Sequence, residues 1–194
     1  MIWYVAVIAA SNLLLSALGI VCTQYPWWWV VLTLVASTVA VIALDGLTAF
    51  LVRRFPERWF SLPRCFGGHR WECRLYRRLG IRKWKEQIPE LGCFTSFSKS
   101  RVERPSDGEY LARYIMECNY GVAIHGVNAA VGFLLLALCP LRPMWLFALP
   151  VALINDFLSL LPLFVLRYNL PKLQYLHERT QRKAEKTQIL DDCY

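Results

Sequence analysis

The chain has 194 residues, 22 Lys+Arg against 14 Asp+Glu, 56% hydrophobic residues and a mean hydropathy of +0.34. Its charged fraction, 19%, falls below the roughly 25% of average soluble proteins. The charges are also clumped: none precedes Asp45, and 21 of the 22 cations lie in residues 53–113 or 167–194. That segregation argues against a soluble globule, a disordered chain and a nucleic-acid binder, and points to a membrane protein.

A hydrocarbon core of about 30 Å needs a helix of roughly 20 apolar residues. Residues 2–22 meet this, with Ser11, Asn12 and Ser16 as polar breaks. They lack a basic leader region and a small-x-small cleavage site, so they read as an uncleaved anchor. Residues 27–52 form a second block opening on Trp27-Trp28-Trp29, which suits an interfacial belt. Tyr25-Pro26 between them predicts a tight helical hairpin. Further blocks run over 115–138 and 143–166. The expected fold is therefore all-α and polytopic, with four transmembrane helices.

Lys and Arg are retained on the cytoplasmic side. With four spans, residues 53–114 and the tail share a side and hold every cation except Arg142. Both termini are then expected in the cytoplasm of a multi-pass cell-membrane protein. The expected organisation is an N-terminal hairpin (1–52), a basic cytoplasmic or interfacial helical segment (53–114), a C-terminal hairpin (115–176) and a charged tail (177–194). Seven cysteines are present. Cys65, His69 and Cys73 look like a ligand set, but zinc ligands usually come in closer pairs such as C-x2-C. They are expected to be ordinary loop residues, and no metal site is expected.

Within the basic segment, Trp71, Leu75, Leu79 or Ile81, Trp84 and Ile88 roughly fit a helical stripe, with Gly80 as a possible break. A basic amphipathic helix with aromatics lies naturally in a membrane interface. The alternatives are simple positive-inside retention, or cations that bind an anionic head group or a phosphate-bearing donor. Ser106 or Asp107 is positioned to cap the helix entering the third span.

Charge inside a membrane costs roughly 2.5–3.5 kcal/mol on insertion scales and usually faces the bundle interior. In the third block Glu117, Gly121, His125, Asn128 and Gly132 fall within about 80° of one another at 100° per residue. The glycines permit close approach of another helix or a substrate. Glu117 and His125 rise about 12 Å apart, so they must line a common groove or be bridged. The fourth block adds Asn155, Asp156 and Ser159 and ends at Arg167, with Pro150 and Pro162 able to kink it. Plainer readings stay open: Glu117 and Asp45 as interfacial carboxylates, His125 as a hydrogen-bonded neutral imidazole, and Asn128 and Asn155 as interhelical glue.

Three blocks in order carry a family resemblance: Arg82-Lys83-Trp84-Lys85 with Pro89 downstream, Glu117 followed by His125, and Asn155 followed by Arg167-Tyr168-Asn169-Leu170-Pro171-Lys172-Leu173. Over about residues 71–176 the chain resembles the glycosyl-4,4'-diaponeurosporenoate acyltransferases, small membrane enzymes of carotenoid biosynthesis. They show a similar RKWK segment, an E…H pair spaced by eight, and an RYNRPRL run. Here Leu170 replaces one cation of that run and Lys172 exchanges another, while Val122 stands where a member carries a second carboxylate.

The resemblance implies transfer of a fatty acyl group to a sugar hydroxyl of a membrane-embedded lipid or glycolipid. On that basis His125 is the expected general base, oriented by Glu117, with Asn128 or Asn155 donating to the developing oxyanion. Arg82, Lys83, Lys85, Arg167, Asn169 and Lys172 are expected to hold an anionic donor such as a coenzyme A thioester. That donor is a substrate, and no further cofactor is expected. No H-x4-D box, G-x-S-x-G elbow or P-loop suggests another acyl or phosphoryl mechanism. The main alternative is a non-catalytic membrane protein that binds a lipid intermediate or a partner enzyme.

Overall fold

The computed structural model describes residues 2–61, 66, 70–88, 102–138 and 142–191, without the side chains of residues 3, 70, 73, 135–138, 142–144, 187, 190 and 191. Cys65, His69, Pro89, Cys93, Cys139 and Cys193, and the side chains of Cys73 and Arg142, lie outside it. The described residues form α1 (Ile2–Cys22), α2 (Trp27–Val52), α3 (Arg70–Arg78), α4 (Ile81–Trp84), α5 (Gly108–Leu138) and α6 (Arg142–Asp191), with short 3-10 turns at Glu57–Trp59 and Lys85–Gln87. The protein is an all-α membrane protein. Among the described residues, three stretches, Tyr4–Cys22, Trp27–Val52 and Trp145–Lys186, are helices long and apolar enough to cross a bilayer. The block over 115–138 lies inside α5.

Two compact units divide the chain. The first comprises Met1–Arg54 and Ile124–Pro162, the second Phe55–Ala123 and Leu163–Tyr194. In the first, Pro26 is extended (φ −57°, ψ 140°) and its carbonyl accepts the Trp29 and Val30 amides, so the hairpin turns where Tyr25-Pro26 predicts. Trp29 stacks on Tyr25 (4.6 Å) and meets Phe147 edge-on (5.7 Å). A Cβ on Gly19 would lie 2.7 Å from both Phe147 and Val30, so only glycine lets α1 pack here without displacing them. Val30, Leu34, Val41, Phe147 and Val151 form the core beneath. Thr38 Oγ1 donates to Asn12 Oδ1 (3.1 Å), pairing one polar break of α1 with one of α2.

In the second unit Asp107 Oδ1 accepts the Tyr110 amide (3.0 Å), capping α5 as expected. Tyr114, Ile115, Cys118 and Val122 of α5 close on Leu166, Leu170 and Leu173 of α6. Gly80 takes a left-handed conformation (φ 62°) and separates α3 from α4, the break its position suggested. Helix α6 is continuous over 50 residues, about 75 Å, through Pro150, Pro162 and Pro171. Each proline removes one amide donor, yet none ends the helix. The fourth apolar block, the RYNLPKL run and the first part of the tail thus belong to one helix.

A candidate site along the two long helices

Three polar groups of the first unit meet within its apolar packing. Asn155 of α6 donates from Nδ2 to the Asn128 carbonyl of α5 (3.2 Å) and to Asp45 Oδ1 of α2 (3.4 Å). Asn128 is buried, and its own side-chain oxygen has no hydrogen-bond partner. At Gly132 the Ala152 backbone stands 3.2 Å from where a Cβ would be, so α6 runs directly over this glycine. The close approach at Gly132 sets this part of the stripe of α5 against α6. His125, in the same unit, is half-buried. A small, mainly apolar cleft with about 40 Å³ of free volume opens beside Asn12, Thr38, Val151 and Asn155.

In the second unit, a Cβ on Gly121 would lie 2.8 Å from Leu166 Cδ1, so this end of the stripe also faces α6. Glu117, one turn earlier, is half-buried. Asn119 is fully buried and donates from Nδ2 to the Phe60 carbonyl, while its Oδ1 has no partner. Phe60 stacks on Tyr120 at 3.9 Å between ring centres, and these contacts fasten the segment after α2 to α5.

Among the described residues a buried ion pair joins α3 to α6. Arg167 donates from Nε to Glu72 Oε2 (2.9 Å) and from Nη2 to Oε1 (2.6 Å), a bidentate fork. Tyr76 donates its hydroxyl to Glu72 Oε2 (2.8 Å). Glu72 is only 3% exposed. Burial, then the adjacent Glu72 carboxylate, pushes the Tyr76 hydroxyl up to about 12, so it is a neutral donor at ordinary pH. Tyr76 and Ile81 pack on Val165, joined by Trp84, Ile88, Phe164 and Tyr168. Trp84 of the RKWK segment and Tyr168 of the RYNLPKL run thus pack on one cluster, although 84 positions separate them. Around this contact Arg82 and Lys83 are exposed, Lys85 and Asn169 half-buried, and exposed Lys172 holds its Nζ 3.9 Å above the Tyr168 ring.

The expected site residues thus fall in two groups. Asn128 and Asn155 meet directly, and His125 lies in their unit; Glu117, Arg82, Lys83, Lys85, Arg167, Asn169 and Lys172 belong to the other. Glu72 and Tyr76 were not expected to take part. Their signal was faint: Glu72 is the only acid in α3 and lies one turn before Tyr76, on a face without arginine.

A family model described as glycosyl-4,4'-diaponeurosporenoate acyltransferase matches residues 56–179. No curated protein and no solved structure matches the chain. The match covers the α3–α4 segment, all of α5 and most of α6, and includes each of the three sequence blocks. The chain belongs to the glycosyl-4,4'-diaponeurosporenoate acyltransferase family.

Proposed function

We propose that the chain transfers a fatty acyl group from a cytoplasmic donor to a hydroxyl of a membrane glycolipid-type acceptor. The observation that carries this reading is the family match over residues 56–179. The course of the polar stripe supports it, since Gly121 and Gly132 lie against α6 and Asn155 of α6 donates to the Asn128 carbonyl. In the proposed reaction His125 takes the proton of the acceptor hydroxyl as its oxygen attacks the acyl carbonyl carbon. Asn128 or Asn155 donates to the carbonyl oxygen as it gains charge. The carbon–sulfur bond of the thioester then breaks, and the leaving thiolate takes the proton from His125.

Arg82, Lys83, Lys85, Asn169 and Lys172 hold the anionic donor. Arg167, clasped by Glu72, is a positioning residue that ties the start of the RYN run of α6 to α3. The proposed topology has four spans, the third over 115–138, with both termini cytoplasmic; reporter fusions at each terminus test it. Activity is tested by comparing membrane lipids made with the wild-type chain, with His125→Ala and without the chain. A new acylated glycolipid that depends on the wild-type chain and falls about 10²–10⁴-fold with His125→Ala is expected. Full product with folded, inserted His125→Ala would remove the proposed base. An unchanged lipid profile, with only complex formation altered, would favour an assembly role.

A further inference from the structure

Helix α3 has a second face that its packing leaves outside. At 100° per residue, Glu72 and Tyr76 lie at about 100° and 140° from Trp71, and these are the side chains buried against α6. Trp71, Leu75 and Leu79 lie at about 0°, 40° and 80°, and Arg78, Arg74 and Arg77 follow at about 340°, 300° and 240°. Leu79 belongs to this face because its amide continues the helix to the Leu75 carbonyl (2.9 Å). The apolar stripe is exposed: Trp71 by 60%, Leu75 by 37% and Leu79 by 44%. The apolar positions from 71 to 88 read in the sequence as one rough helical stripe. Instead Ile81, Trp84 and Ile88 pack inward on α6, and only the α3 portion faces out.

The depth of α3 follows from its partner. It packs on Phe164, Val165 and Tyr168, where the apolar run of α6 ends at Leu166 and its charged part begins at Arg167. A helix held at that level lies at the boundary between hydrocarbon and head groups. Tryptophan favours that boundary, and arginine beside an apolar stripe extends toward the head groups. Phe55 and Trp59, stacked at 5.1 Å, are about half exposed in the same unit.

The geometry points to α3 as an interfacial anchor: its Trp71–Leu75–Leu79 stripe enters an anionic bilayer leaflet, and Arg74, Arg77 and Arg78 bind that leaflet's head groups. The occupant is the bilayer rather than a soluble acyl donor because an apolar stripe and a cationic stripe run side by side along the helix. A fatty acyl thioester also carries one apolar chain, but the level of α3, where the apolar run of α6 gives way to its charged part, sets both stripes against hydrocarbon and head groups of the leaflet. Each cation near an anionic surface strengthens attachment by roughly fivefold. The inference stands apart from acyl transfer and needs only that the chain resides in a membrane.

The full chain, reconstituted in phosphatidylcholine vesicles with brominated acyl chains, with and without phosphatidylglycerol, provides the test. Subtracting the emission of Trp71→Phe isolates Trp71 from the other tryptophans. The expected result is about twofold or greater bromine quenching of Trp71 with phosphatidylglycerol, and clearly less without it. The triple variant Arg74→Gln/Arg77→Gln/Arg78→Gln should lose that dependence, and the corresponding triple lysine variant should retain it, since the leaflet reads charge rather than guanidinium geometry. Trp71 quenched by aqueous iodide and not by bromine would overturn the proposal. So would bromine quenching that ignores phosphatidylglycerol, or shielding of Trp71 from iodide only on adding a coenzyme A thioester.

Discussion

The two units hold their polar groups in different ways. In the first, Asn155 makes two long hydrogen bonds, to the Asn128 carbonyl (3.2 Å) and to Asp45 (3.4 Å), and Thr38 meets Asn12 at 3.1 Å. In the second, Glu72, Arg167 and Tyr76 form a compact charged network with bonds of 2.6–2.9 Å. Amide and hydroxyl groups between membrane helices find substitutes when a partner is lost, so each contributes little. A buried carboxylate facing a guanidinium has no such freedom, because losing either partner strands the other. The comparison teaches that α3–α4 is held on α6 by apolar packing and by one buried ion pair whose partners need each other, whereas the helices of the first unit depend on shape.

Removing Glu72 therefore gives the largest expected effect. Glu72→Ala leaves the Arg167 fork without its partner and is expected to destabilise the second unit by about 3–5 kcal/mol, measured by unfolding in detergent. Replacing both partners by apolar groups, Glu72→Leu/Arg167→Met, should recover most of that loss. A double variant no more stable than Glu72→Ala would mean that the pair is not an isolated unit. Tyr76→Phe removes a bond to a charged acceptor and should cost about 1.5–3 kcal/mol.

The raised Tyr76 value also fixes a sign. The folded state binds this proton more tightly than the unfolded chain, so its stabilisation is fully present below the ordinary tyrosine value near 10. It is lost as pH rises toward about 12. The difference in stability between wild type and Tyr76→Phe should accordingly stay constant from pH 6 to about 9 and shrink above it. A difference that already falls below pH 8 would contradict this environment for the phenol.

The glycines of α5 sharpen the same contrast. A methyl at Gly132 would press on the Ala152 backbone at 3.2 Å, which yields only if a helix shifts; Gly132→Ala is expected to cost about 1–3 kcal/mol. At Gly121 the obstacle is the end of the Leu166 side chain, which can turn, so about 1 kcal/mol is expected. Gly126 meets nothing within 4 Å, and Gly126→Ala should be neutral or stabilise by up to about 1 kcal/mol through helix propensity. Thermal unfolding of the three variants gives the order directly.

Much of this arrangement was legible before the fold. Hydropathy located α1 and α2, Tyr25-Pro26 the turn between them, Asp107 the cap of α5 and Gly80 the break after α3. The five-residue stripe on α5 was also visible as a face, and its glycines do lie against α6. Two things were hidden for physical reasons. The full length of α6 was obscured by its prolines and by the change from apolar to charged residues at Arg167, although neither ends a helix whose other backbone bonds are intact. The role of Glu72 was obscured because an acid among arginines reads as a surface residue. Its burial depends on a partner 95 positions away, and no local pattern encodes that distance.

Asn155 gives the smallest expected loss of stability and the most direct test of the difference between the units. Asn155→Ala removes both hydrogen bonds that tie α6 to α2 and α5 at this level. If the first unit is held by shape, the Val30–Leu34–Val41–Phe147–Val151 core remains and the loss is about 0.6 kcal/mol, the typical size for such bonds between membrane helices. The freed Asn128 carbonyl still accepts its own helical amide, and Asp45 is only half-buried, so neither is left stranded. A loss near that of Glu72→Ala would show instead that Asp45, Asn128 and Asn155 act as a network comparable to the ion pair. Should acyl transfer fall while stability holds, the same variant would support the amide as an oxyanion donor, because shape alone does not require it there.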